Sequence, residues 1–250
     1  MNEYPTKFVS PLLGKRLLDF IHDEENNLKN SLYDLAEELH FFDELAEIYN
    51  AWLNQEHALL AGESKYYAFC SLARSNIYQA CSSYCRQHFS TAMVGARIAL
   101  DAALFAEMMA KGYLSEDDYL TSQKKRSGLS NTAKMKLKKG KKLGERVPQL
   151  LKAMSMLSEH GAHPSPPTWA NRIITEDKGI FLSFFQEAID SDHLKYQFLS
   201  ILWFGGMALE SFLHIGREVF QQDTDRWLLL LRDWKGRMEA NKTKFGISPV

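Results

Sequence analysis

The sequence predicts a mainly α-helical bundle of long antiparallel helices with one small β-hairpin near residues 172–185. Three observations lead there. Leu, Ala, Glu and Lys are abundant, whereas the 250 residues include only 14 Gly and 7 Pro, a balance that favours helix over turn-rich β structure. Apolar residues recur at spacings of three and four through most of the chain, the period of a helix face. The exception is NRIITEDKGIFLSFF, where Ile173 and Thr175, then Ile180, Leu182 and Phe184, alternate around a turn-like Glu176–Gly179 segment. Hydrophobic residues make up 45% and charged residues 24% of the chain, enough apolar material for a core and too much for disorder. No composition shift demands a linker, so residues 1–250 read as a single helical domain.

The elements follow in order. A short helix is expected around Leu12–His22. Leu28, Leu32, Leu35, Leu39, Phe42, Ala46, Tyr49 and Leu53 then form a heptad-like seam, predicting one long helix from near Leu28 to Leu60 that stops at Gly62. Ser64 is placed to cap a second long helix reaching about Phe89. STAMVGARIALDAALFAEMMAKG supplies a third, with Ser90 or Thr91 as N-cap and Gly112 closing its C-terminus. Ser115, followed by Glu116, Asp117 and Asp118, starts a short helix with acids where the helix dipole favours them. VPQLLKAMSMLSEH sets Val147, Leu150, Leu151, Met154 and Leu157 on one side of another. PSPP (164–167) ends it and leads into the hairpin. Two final helices are expected near His193–Gln221 and Thr224–Asn241. Gly205–Gly206, inside the apolar FLSILWFGGMALESFL (198–213), lacks any phosphate-loop context and predicts close backbone packing or a kink. That stretch is short for a membrane span and contains Glu210, so it reads as a buried helix.

Charge is unevenly placed. KKRSGLSNTAKMKLKKGKKLGER (124–146) holds ten basic residues and one acid, leaving twenty basic and thirty acidic groups for the rest of the chain. Residues 1–60 carry twelve acids against four basic groups. Lys124, Lys125, Arg126, Lys134, Lys136, Lys138, Lys139, Lys141 and Lys142 are candidates to bind a polyanion such as nucleic acid, by neutralising phosphate charge. The run contains no aromatic residue on which a base could stack, and a solvated, mobile segment or one paired with the acidic N-terminal region is the competing reading. Cys70, Cys81 and Cys85 are odd in number. They suit reduced, packed thiols in a cytoplasmic protein, and the opening residues lack the basic start and apolar run of a signal peptide.

Two groups of residues invite a chemical role. Arg97 and Asp101 sit one helical turn apart among apolar neighbours, where a guanidinium needs a carboxylate to be tolerated. His160 and His163 lie in SEHGAH, beyond the end of a helix. Histidines three apart on one helical face can hold zinc, but Gly161 and Pro164 interrupt the helix and neither a third ligand nor HExxH is specified, so no metal and no cofactor is expected. If Arg97 and Asp101 meet His160 and His163, the four line a polar pocket.

ARIALDAALFAEMMAKG, followed after the basic stretch by LLKAMSMLSEHGAHPS, resembles an uncharacterised group of bacterial helical proteins. In that group an Arg and an acid four residues on precede a later helix ending in a Ser…His element. Arg97, Asp101, Ser158 and His163 match, with Asp where Glu is usual. That group is similar to the HEPN helical-bundle superfamily, so the resemblance implies a helical bundle, frequently dimeric, with a link to phage defence and to ribonucleases. The Arg-to-His spacing of the ribonuclease members occurs here only as Arg16–His22, ahead of the long helices, where chance alone supplies about one such match.

Two functions stand against each other. The first is a non-catalytic helical interaction or scaffold protein that self-associates through the seam of residues 28–53, since such a seam is buried either internally or against another chain. The alternative is a HEPN-like ribonuclease or nucleic-acid-binding protein. It would use a His general base, Arg97 to stabilise the phosphorane and the lysine run as substrate track. A small-molecule site in the same pocket is a third class. Neither leading reading requires a membrane.

Overall fold

The computed structural model describes residues 11–54, 64–115, 117, 144–158, 173–176, 179–182 and 191–246. Seven helices dominate them: α1 Pro11–Asp34, α2 Glu38–Leu53, α3 Ser64–Cys85, α4 Phe89–Ala110, α5 Arg146–Leu157, α6 Ser191–Val219 and α7 Asp225–Thr243. The protein is mainly α, with one core running through all the helices. Two four-residue strands, β1 (Ile173–Glu176) and β2 (Gly179–Leu182), pair antiparallel with Ile173 opposite Leu182 and Glu176 opposite Gly179. A pair this short is marginal alone, so the helices carry the fold.

α6 is the hub and packs against α2, α3, α4, α5 and α7. Its glycines explain how. A Cβ on Gly205 would come within 3.1–3.2 Å of Leu45 and Ile77, and one on Gly206 within 2.7 Å of the Trp234 ring. Helices α2 and α3 therefore press on one side of α6 and α7 on another, at a distance that only a glycine surface allows. Three buried polar groups lock this packing. Tyr49 donates its hydroxyl to the Gly205 carbonyl at 2.9 Å, Tyr84 to that of Leu194 at 2.8 Å, and Trp234 its indole N–H to that of Phe41 at 2.9 Å. Each satisfies a side-chain group that would otherwise be costly to bury.

Turn chemistry sets the directions. At the end of α4 the Gly112 N–H bonds the Met109 carbonyl and the Tyr113 N–H that of Met108, with Gly112 at φ +67°. This is the left-handed closure expected of Gly112. The same pair of bonds closes α3, where Gln87 takes the left-handed position at φ 62°. The three residues after α3 reverse the chain, so α3 and α4 are antiparallel: Asn76 faces Gly95 near their middles and the Tyr84 ring packs at a tilt against Phe89 beside the turn. α5 runs antiparallel to α4, and α7 to α6.

Several boundaries differ from the sequence reading. The expected helix around Leu12–His22 continues to Asp34, and the expected long helix from Leu28 is broken at Leu35–Glu37. Its stretch from 55 onwards, with Gly62, lies outside the described residues. α3 ends four residues before Phe89, which opens α4 instead. The cap of α4 is also different: His88 precedes the helix and no side chain caps it.

The seam is displaced as well. Phe41, Leu45, Ile48 and Trp52 face the core, one residue before the expected Phe42, Ala46, Tyr49 and Leu53, of which Tyr49 alone is fully buried. Both stripes of α2 are apolar. The stripe with Trp52 and Leu45 removes more apolar surface from water than the one with Ala46, and it wins the interior. In α5, by contrast, Val147, Leu150, Leu151, Met154 and Leu157 are all buried as expected. The short helix expected at Ser115 lies outside the described residues except for Ser115 and Asp117.

Gly206→Ala is expected to lower stability by about 1–3 kcal/mol through overpacking against Trp234. Gly236→Ala in α7, where a Cβ meets nothing within 4 Å, is expected to raise it by roughly 0.5–1 kcal/mol. Urea unfolding of both variants checks the pair, and equal effects would contradict the close approach at Gly206.

Candidate functional site

α4 and α5 lie antiparallel, and two polar clusters bracket the apolar seam between them. The first contains the residues singled out in the sequence. The Arg97 guanidinium donates to Ser158 Oγ, which in turn donates to the Met154 carbonyl at 2.7 Å. The Asp101 carboxylate stands 3.9 Å from Arg97 Nε. Burial pushes the Asp101 carboxyl above its ordinary range, and the charge of Arg97 pulls it back. Arg97, Asp101 and Ser158 are thus brought together from two helices, and SEHGAH begins where they meet. His160 and His163 lie outside the described residues. So do Lys124, Lys125, Arg126, Lys134, Lys136, Lys138, Lys139, Lys141 and Lys142.

The second cluster escaped the sequence reading. Ten residues along α4, about 15 Å by helical rise, Glu107 is 2% exposed within an apolar run. Arg146, the first residue of α5 and the last of the basic stretch, reaches it: its Nε donates to Glu107 Oε1 at 3.0 Å. The same guanidinium grips Glu218 of α6 with both terminal nitrogens, at 3.0 and 2.8 Å. Lys111 adds a bond to Glu218 at 2.8 Å. One arginine thereby ties α4, α5 and α6, in the forked geometry that suits guanidinium and carboxylate.

The environment separates the two acids. Burial raises the Glu107 carboxyl against the pull of Arg146, and among the described residues its Oε2 has no hydrogen-bond partner. Hydrogen bonds from Arg146 hold the Glu218 carboxyl down at about 2, against a smaller opposing effect of burial. His214 is lowered by burial and then by Arg146 and Arg217. Its Nδ1 accepts from Arg217 at 3.0 Å, which requires the neutral ring. Its 3.5 Å approach to Glu218 is therefore a neighbourhood of a neutral imidazole, not an ion pair. With both faces of Arg146 occupied by protein carboxylates, this cluster is a staple between helices.

Elsewhere, α3 and α4 enclose an open groove of about 520 Å³ lined by Tyr78, Gln79, Ser82, Thr91, Val94 and Ile98, among others. Among the described residues no group of three or more His, Cys, Asp or Glu is arranged to hold a metal ion. Cys70, Cys81 and Cys85 are free and buried, and burial pushes each thiol up. That is the packed state expected of them. α4 and α6 are each long and apolar enough to cross a membrane, but most of each apolar window is buried inside the protein.

Compared with known proteins, the chain matches no family model, no curated protein and no solved structure.

Arg146→Met is expected to cost about 3 kcal/mol, because it leaves buried Glu107 with only Lys111, 3.9 Å away, as countercharge, and adding Glu107→Gln is expected to recover part of the loss. Acid titration supplies a second check. A carboxyl held low in the folded state contributes stability above its unfolded value, near 4.5 for Glu218, and loses it as pH falls towards about 2. Glu107, being raised, acts in the opposite sense. Glu218→Gln is therefore expected to flatten the decline in unfolding midpoint between pH 4.5 and 2. A decline as steep as in the unaltered protein would contradict the Glu218 assignment.

Proposed function

We propose that this protein is a non-catalytic helical interaction protein of the cytoplasm that self-associates. The observation that carries the reading is the open apolar face of α1. Leu17, Ile21, Leu28 and Leu32 fall on one side of that helix, and Leu17 is 60%, Ile21 41% and Leu32 44% exposed. On the same side Leu28 packs against the core, and Ser31 and Leu35, the latter just past the helix end, are fully buried. A seam of leucines at helical spacing is costly to leave in water, and a second chain is the common way to cover it. Thus the N-terminal part of the seam of residues 28–53, extended back to Leu17, offers the association surface, while α2 belongs to the core. The buried free cysteines suit a reducing compartment. The hairpin expected near 172–185 belongs to this reading as a local ribbon.

A second reading keeps the polar cluster in play: a HEPN-like ribonuclease or nucleic-acid-binding protein, with a link to phage defence. It is supported by the meeting of Arg97 and Asp101 with Ser158, at the point where the chain leads to His160 and His163. The basic residues Lys124–Lys142 would then supply phosphate contacts.

Sedimentation velocity across a concentration series is expected to give a dimer or larger species that Ile21→Glu shifts to monomer. A monomer at every workable concentration would sink the first reading. For the second, incubation with labelled RNA separates the outcomes: cleavage lost in Arg97→Ala and His163→Ala supports it, and an intact substrate rejects catalysis.

A further inference from the structure

We infer that the surface receiving α1 is the outer groove of the α3–α4 hairpin on a second copy of this chain, so that the association is reciprocal. The inference rests on the self-association reading and adds the receiving site to it.

The groove has the right shape and polarity. Gly95 lets α4 approach α3 so closely that a Cβ there would lie 3.0 Å from the Asn76 carbonyl oxygen, which leaves a shallow trough along the hairpin. Val94 and Ile98, each 40% exposed, stand one turn apart on its α4 side, and Leu72 is exposed on α3. The exposed positions of α3 are Ser64, Ala68, Leu72, Ser75, Gln79 and Ser82, and those of α4 are Thr91, Val94 and Ile98. None is charged. Exposed apolar side chains in a trough without charged groups favour an apolar helix over water.

Charge names the occupant. The hairpin carries Lys65, Arg74, Arg86 and Arg97 against two acids, Asp101 and Glu107, which pair with Arg97 and Arg146. The exposed turns of α1 are the reverse: Leu17, Leu18 and Ile21 are interleaved with Asp19, Asp23, Glu24 and Glu25. An apolar stripe edged by acids meets an apolar trough set in a hairpin of net positive charge, which attracts the helix.

Placement makes the exchange reciprocal. His88, in the α3–α4 turn, lies 2.6 Å from Glu24, and Phe20 approaches its ring. Each α1 therefore crosses its own hairpin at the turn. It leaves Leu17, Leu18 and Ile21 exposed, as Val94 and Ile98 of the groove are. A two-fold axis near this turn would lay each stripe in the other copy's groove, the same patch serving both chains.

The test uses the full-length protein. Val94→Glu and Ile98→Glu change exposed positions outside the core and are expected to weaken dimerisation by about tenfold or more in sedimentation velocity, as Ile21→Glu does. Circular dichroism reports whether each remains helical. Independently of folding effects, Ile21→Cys chains mixed with Val94→Cys chains and a short bis-maleimide are expected to yield a mixed covalent dimer, since the native cysteines are buried. Three results would overturn the inference. Association that survives both groove substitutions, with no mixed crosslink, places α1 elsewhere and leaves self-association standing. Crosslinking of Ile21→Cys only to itself assigns an α1–α1 contact. A monomeric unaltered protein removes both the inference and the reading beneath it.

Discussion

The bundle depends on how closely α6 lets its neighbours approach. Gly205 admits Leu45 of α2 and Ile77 of α3, while Gly206 admits the Trp234 ring of α7. Close approach raises the number of dispersion contacts per unit of helix surface, and each is small until it is summed over a packed face. It also brings Tyr49 within bonding distance of the Gly205 carbonyl. A methyl group at either glycine would push these elements apart, so the core is specified by a missing side chain as much as by the large ones around it.

Electrostatics divides the same framework into parts with different tasks. Arg146 is saturated by Glu107 and Glu218, and its role is to join three helices at the point where the basic stretch enters the fold. The Arg97–Asp101–Ser158 group is smaller and lies nearer the surface. Its geometry holds the end of α5 against α4, which any use of the following SEHGAH segment would require. Beyond these groups, the exposed part of α1 carries Asp19, Asp23, Glu24 and Glu25, whereas the α3–α4 hairpin has more basic than acidic residues.

Helix existence was legible because apolar periodicity and closing glycines are local signals. α5 shows this best: all five residues expected on its inner side are buried. α2 shows the limit. Both of its stripes are apolar, and the one with Phe41, Leu45, Ile48 and Trp52 takes the interior because it removes more apolar surface from water. The break at Leu35–Glu37 was invisible for a related reason, since no glycine or proline marks it. Glu107 was legible in principle: a single acid within AALFAEMMA signals a buried partner, by the same logic that singled out Arg97 and Asp101. The partner, Arg146, was concealed in a run that read as solvated charge.

The sequence by itself determined a mainly helical chain, the position of most helices, the closure of α4 at Gly112, the packing role of Gly205–Gly206 and the polarity of its segments. These follow from spacing, backbone freedom and composition, which act within a few residues. Only the tertiary structure decided which stripe of α2 is inside, that Arg97 meets Ser158, that Arg146 bridges Glu107 and Glu218, and that Leu17 and Ile21 remain in water. Those outcomes turn on which distant surfaces compete for each side chain, and that competition has no local signature.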